Sequence, residues 1–222
     1  MFFHYNTLKA GKKMPFYFPT KDPSTSPHLL SRQESNSIPF STSQFHSILE
    51  FFSFPETSTQ ALAMKTTLQH CEFPPFKGET KFCATSLESM LDSIRGIFGF
   101  NSKFKIITTN YLSDSISSTP LQNYTIIKLP TGISARKIIA CHLLPYPYAV
   151  FYCHGQDSDN KLYKVLLAGE DGRRVEAAAI CHMDTTEWDP RHVAFQVSEM
   201  VPDGSPVCHV FPADNLVWVP LS

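Results

Sequence analysis

The chain has 222 residues, 42% of them hydrophobic and 13% aromatic, with 19 basic against 20 acidic side chains. Its 18 phenylalanines argue against disorder, and the length allows a sizeable core. A net charge of −1 with no block of like charge leaves no electrostatic footprint for nucleic acid or an anionic membrane. No apolar run reaches the roughly 20 residues needed to span a bilayer. The N-terminal stretch MFFHYNTLKAGKK lacks the apolar block of a signal peptide. That leaves a cytosolic protein, or a secreted one whose leader is absent from this sequence.

Taken in order, residues 1–19 are aromatic and broken by Gly11, Pro15 and Pro19, which predicts an extended segment. Residues 20–40 are rich in Ser and Pro and read as a loop or wrapping segment anchored by Leu29, Leu30 and Ile38. Phe45, Ile48, Leu49 and Phe52 are spaced as one helix face, with Ser41 or Ser43 as cap and Pro55 as stop. A second helical stripe starts near Thr57 and carries Ala61, Met64 or Lys65, Leu68 and Cys71. Residues 72–82 are expected to be a loop. Thr85-Ser86-Leu87-Glu88 has the form of a capping box. The helix it opens carries Leu87, Met90, Leu91, Ile94 and Phe98 and closes at Gly99.

From residue 103 the period changes to two. Segments 104–109, 124–129, 133–142, 148–154, 161–167, 173–182, 192–200, 207–211 and 215–219 read as strands, separated by Pro- and Gly-containing turns. The expectation is one α+β domain over 1–222. It comprises a wrapping segment at 1–40, a helical part at 41–100 and a β-rich part at 103–222 that forms an antiparallel sandwich or barrel-like sheet.

The β-rich part holds four Cys-His dipeptides: Cys141-His142, Cys153-His154, Cys181-His182 and Cys208-His209. Ten, 26 and 25 residues separate successive pairs, and eight more lead to Trp218. Each pair lies near a strand end, where neighbouring side chains point to opposite faces. Such a dipeptide is poorly arranged to place both residues on one metal. It suits a division of labour, with sulfurs stapling one face and imidazoles converging on the other.

Six cysteines, with the sequon Asn123-Tyr124-Thr125, lean toward an oxidising, secretory compartment and a glycosylated Asn123. A reduced cytosolic protein with buried thiols is the alternative. Cys71 and Cys83 flank one short loop, Cys141 and Cys153 flank the Pro145-Tyr146-Pro147 turn, and Cys181 and Cys208 remain as the third pair. With the thiols consumed, the imidazoles suit Cu(II), Zn or Ni, and all-nitrogen copper would be type II. A reduced Cys/His zinc site is the rival, although the close-spaced ligand knuckles of structural zinc sites are absent. His192 is a candidate fifth ligand or a surface histidine. Asp184, Glu187 and Asp189 are acid/base candidates or turn caps, and Trp218 reads as a core anchor. His4, His28, His46 and His70 default to solvent or packing roles.

The spacing of the four dipeptides and the final Trp218 resembles the signature of the plant BURP domain. Phe2-Phe3 resembles that family's opening diphenylalanine. Segments 77–90 (KGETKFCATSLESM) and 208–220 (CHVFPADNLVWVP) resemble its central and C-terminal motifs. Some members are copper-dependent peptide cyclases that use dioxygen to crosslink a Tyr or Trp side chain within a ribosomal precursor peptide. Others are non-enzymatic seed or cell-wall proteins. The resemblance implies two type II copper centres held by His142, His154, His182 and His209, with His192 able to complete one. It also implies passage through the secretory pathway to the vacuole or cell wall. No core peptide is visible in this sequence, so a cyclase would either act in trans, the favoured reading, or use a core peptide lying outside this sequence; it is expected to be a monomer with a peptide partner.

Overall fold

The computed structural model describes every residue except 20–23, 25, 113–119, 158, 189, 191, 192, 198, 199, 202 and 222. In chain order the strands and helices open with β1 (Phe2–His4), β2 (Lys13–Tyr17), α1 (Arg32–Ser37), α2 (Phe45–Phe52), α3 (Thr59–Glu72), β3 (Glu79–Ala84) and α4 (Leu87–Phe98). There follow β4 (Phe104–Ile107), β5 (Asn110–Tyr111), β6 (Leu121–Ile126), β7 (Thr131–Ile133), β8 (Ile139–Leu144), β9 (Val150–Gln156), β10 (Asn160–Gly169) and β11 (Arg174–His182). The series ends with α5 (Val193–Gln196), β12 (Val207–Val210) and β13 (Leu216–Pro220). The expected α+β class holds, with antiparallel strands in the C-terminal half and three disulfides. Among the described residues no helix is long and apolar enough to cross a membrane.

The chain divides into two compact units. The first comprises 1–21, 104–138 and 156–222. Its main sheet runs β1-β12-β11-β10-β6-β2, with β5 on β11 and β7 on β10. Alternate residues of β2 and β6 turn inward, so Met14, Phe16, Tyr124 and Ile126 meet Phe18, Val165, Leu167, Val175, Ala177 and Ala179 in one apolar cluster. Phe18 and Tyr124 meet edge to face at 5.1 Å. The buried guanidinium of Arg173 donates to the Phe18 carbonyl at 2.9 Å and covers the Tyr111 ring, which ties the N-terminal strand down. In the same unit β4 pairs with β13, and Trp218, almost wholly buried, packs edge-on against Phe104.

The second unit comprises 22–103 and 139–155. Strands β3, β9 and β8 lie side by side. Helices α2 and α3 bury Ile48, Leu49, Ala61, Met64 and Leu68 with Tyr146, Tyr148 and Val150. Lys65 stays exposed, so Met64 fills the alternative position of the α3 stripe. The Ser58 hydroxyl caps α3 by accepting from the Ala61 N–H at 3.1 Å.

Several local expectations are corrected. Residues 20–40 are not all loop: α1 forms at Arg32–Ser37 behind a capping box of Ser31 and Glu34. Leu30 and Ile38 do pack on the unit's core, but Leu29 is exposed. The stretch 72–82 already enters β3 at Glu79, because that strand pairs beside β9. The α4 capping box sits one residue later than expected, on Ser86 and Ser89, and Leu87 is exposed. Within 192–200, Val193–Gln196 is a helical turn, not a strand. Ser41 caps the 3-10 turn Thr42–Gln44 ahead of α2.

The buried Ser86 hydroxyl accepts from the Ser89 N–H at 3.1 Å. Replacing it by alanine leaves that donor unpaired, so Ser86→Ala should lower stability by about 1 kcal/mol in chemical denaturation.

Candidate functional site: two disulfide-locked imidazole pairs

In the second unit, β8 and β9 are antiparallel with Cys141 directly opposite Cys153. Their disulfide joins the strands at a Cα–Cα distance of 3.9 Å, and both cysteines are fully buried. The next residue on each strand points to the opposite face. In this register His142 lies opposite Tyr152 and His154 opposite Ala140, so the two histidines are diagonal neighbours. Their Nε2 atoms are 3.2 Å apart.

The first unit repeats the device. Cys181 lies opposite Cys208 on β11 and β12, with a Cα–Cα distance of 4.0 Å. Both sulfurs belong to the apolar cluster. His182 and His209 again stand diagonally, their rings stacked at 5.7 Å between centroids. The four dipeptides thus form two cross-strand clasps, each with a disulfide on one face and an imidazole pair on the other. The third disulfide, Cys71–Cys83, ties α3 to β3. All three pairings match those expected, and no cysteine is free.

The surroundings of the pairs differ. Beside the first, the Glu79 side chain is only 7% exposed. Its Oε1 lies 3.4 Å from His154 Nδ1 and accepts from the Tyr152 hydroxyl at 3.0 Å. Its Oε2 accepts from the Phe76 N–H at 2.9 Å. Burial alone would raise this carboxyl, but the hydrogen bonds from His154, Phe76 and Tyr152 outweigh it and hold it at about 2. Burial, followed by the Glu79 charge, pushes the Tyr152 phenol well above its ordinary value. The His70 ring meets Tyr152 at 4.3 Å, and burial and then Lys81 lower its proton affinity.

An unfolded glutamate titrates near about 4.3. Because the folded carboxyl lies lower, its stabilising contribution is complete above that range and disappears as pH falls toward 2. Acid titrations of the wild type and Glu79→Gln should therefore show a stability difference that shrinks between about pH 4.5 and pH 2.

Around the second pair the walls are aromatic. The Trp188 ring meets His182 at 5.0 Å. Phe2 and Phe211 meet His209 edge-on at 5.4 and 4.8 Å. Phe2 is the register partner of His209 on β1. The Asn160 Oδ1 lies 2.7 Å from His182 Nδ1, and Trp188 Nε1 donates to Gln156 Oε1 at 3.3 Å.

Of the other candidates, His192 and Asp189 lie outside the described residues. Asp184 caps its own turn by accepting from the Thr186 N–H and hydroxyl. Glu187 is exposed. Asn123 is half-buried on β6, and its Nδ2 donates to Glu170 at 3.4 Å. Sequence reasoning missed Glu79, Tyr152 and Asn160, whereas His70 takes the packing role expected of it, against Tyr152. One signal existed: Glu79 lies four residues before Cys83, the bridged partner of Cys71. Among the described residues no group of three or more His, Cys, Asp or Glu side chains is arranged to hold a metal ion.

The BURP domain family model matches residues 1–220. The chain is 44% identical over 222 residues to the BURP domain protein USPL1 of Arabidopsis thaliana, covering 99% of this chain and 79% of that protein. It is 46% identical to the BURP domain-containing protein BNM2C of Brassica napus, with the same coverage. Against Protein RAFTIN 1B of Triticum aestivum it is 36% identical over 219 residues, 98% of this chain and 59% of that protein. The clasps lie within the matched region, and the chain belongs to the BURP-domain family.

Proposed function

We propose that the chain is a non-enzymatic protein of the plant secretory route, at the cell wall or in the seed. In this role the Cys-His clasps serve as a disulfide scaffold. The observation that carries this reading is the complete use of the cysteines, two bridges of which join directly opposed residues of neighbouring strands. Such a framework suits an oxidising compartment, where the bridges persist. The test is metal analysis of the secreted, non-reduced protein together with a peptide assay. Background copper and an unaltered Tyr- or Trp-containing peptide are expected. Stoichiometric copper, or an O₂-dependent loss of two hydrogens from the peptide, would contradict it.

A second reading is a copper-dependent oxidative peptide cyclase acting in trans on a precursor peptide. It is favoured by the His142–His154 geometry. Two imidazole nitrogens that share one cation at about 2.0–2.1 Å lie about 2.9 Å apart at the right angle of a tetragonal copper site and about 3.3 Å apart at a tetrahedral angle, and the 3.2 Å observed falls between the two. The donor set therefore fits part of a type II centre. His142 and His154 would hold one copper and His182 and His209 the other, with a further ligand needed at each; His192 is the candidate for one. Bound copper would supply, with dioxygen, the one-electron oxidation that removes hydrogen from a Tyr or Trp side chain. The chain's own contribution is to fix the imidazoles through the opposite-face disulfides and to wall the second pair with aromatic rings. O₂-dependent ring closure that chelation abolishes and copper restores would establish this reading. Closure that survives chelation would remove it.

A further inference from the structure

We propose that Glu79 and Asn160 are positioning residues, one for each imidazole pair, that fix His154 and His182 as Nδ1-protonated tautomers and leave their Nε2 atoms as lone-pair donors. The two residues reach the histidines from unrelated elements. Glu79 opens β3, and Asn160 opens β10 as the register partner of His182.

Both acceptors are themselves held in place. Glu79 Oε2 is taken by the Phe76 N–H and Oε1 by the Tyr152 hydroxyl, so the carboxylate cannot turn without losing both, and Oε1 still faces His154 Nδ1. Asn160 Nδ2 donates to the Gln156 carbonyl at 3.1 Å, which sets the amide with Oδ1 toward His182 at 2.7 Å. An acceptor of this kind can take only an N–H, so the Nδ1 atoms of His154 and His182 carry the protons.

For the first pair this gives a direction to the chain of hydrogens. His154 Nε2 has no proton, so the 3.2 Å contact requires His142 to donate from its own Nε2. A cation held by the two imidazoles would take the place of that one hydrogen. With His142 carrying its proton at Nδ1 instead of Nε2, both rings would be neutral and both Nε2 lone pairs would be available to a cation. The consequence for cation affinity rests on the second reading above; the tautomers do not.

The test uses the full, non-reduced chain labelled with ¹⁵N-histidine. Metal-free wild type should give Nδ1-protonated signals for His154 and His182 in long-range imidazole spectra. Glu79→Leu should release the His154 tautomer, Glu79→Gln should retain it through the amide oxygen, and Asn160→Leu should affect His182 alone. An Nε2-protonated His154 or His182 in wild type overturns the proposal for that pair, even if the leucine variants do not fold. Zn²⁺ is then titrated as the probe, since bridged cysteines cannot compete for it. Glu79→Leu should weaken binding at the first pair about 10–100-fold. Equal affinity in wild type and Glu79→Leu would end the positioning role. Failure of wild type to bind Zn²⁺ at either pair would end the metal reading and leave the tautomer result standing.

Discussion

Replacing Cys181 and Cys208 together by alanine should destabilise the first unit by about 3.5 kcal/mol. The bridge closes a sequence separation of 27, and chain-entropy reasoning gives a larger effect for longer loops. The Cys141/Cys153 double substitution, with a separation of 12, should cost about 3 kcal/mol. The sulfurs of Cys181 and Cys208 lie in the apolar cluster, so the alanines there also leave lost contacts. The readout is the denaturation midpoint of each double variant against wild type. The consequence reaches the imidazoles, because each bridge holds the strand pairing that sets its two histidines diagonally. Equal stability of the double variant and wild type would mean the bridge only decorates strands already locked by hydrogen bonds.

Trp218→Ala should be comparably severe, at about 3–5 kcal/mol, with Trp218→Phe milder. The indole is 2% exposed and packs on Phe104 across the β4–β13 pairing. Truncation would empty a volume that the flanking strands cannot close. This matters for function, because a tryptophan at the end of a family motif invites a substrate or redox role. Its burial makes it a core anchor, and any loss of function in Trp218→Ala should track loss of folded protein. Thermal unfolding and, under the cyclase reading, peptide ring closure measured on the same preparations separate the two. A fully folded but inactive alanine variant would assign the indole a role beyond packing.

Much of this was legible in the chain. Alternation along strands separates each cysteine from the histidine beside it, and that alone gives a sulfur face and an imidazole face. The diagonal placement needed one further fact, the strand register. With Cys141 opposite Cys153, the following residues must lie diagonally, and the same holds for Cys181 and Cys208. Short elements were harder. The capping box at Ser31 and Glu34 was present in the sequence, but the surrounding Ser and Pro hid the six-residue helix it opens. Val193–Gln196 carries apolar residues that fit either period, and one turn is too short to decide between them. Glu79 and Asn160 were not readable as site residues. Their approach to His154 and His182 depends on β3 lying beside β9 and β10 pairing with β11, which no local pattern states.

The most direct test of the clasps is a disulfide map of the native protein. Trypsin cuts between Cys71 and Cys83 and between Cys181 and Cys208. No Lys or Arg lies between Cys141 and Cys153, so chymotrypsin is needed at the intervening Tyr and Phe residues. Mass spectrometry of the non-reduced digest should show Cys71–Cys83, Cys141–Cys153 and Cys181–Cys208 with no free thiol. A bridge between cysteines of different clasps, or free thiols in the Cys-His dipeptides of native protein, would contradict the account.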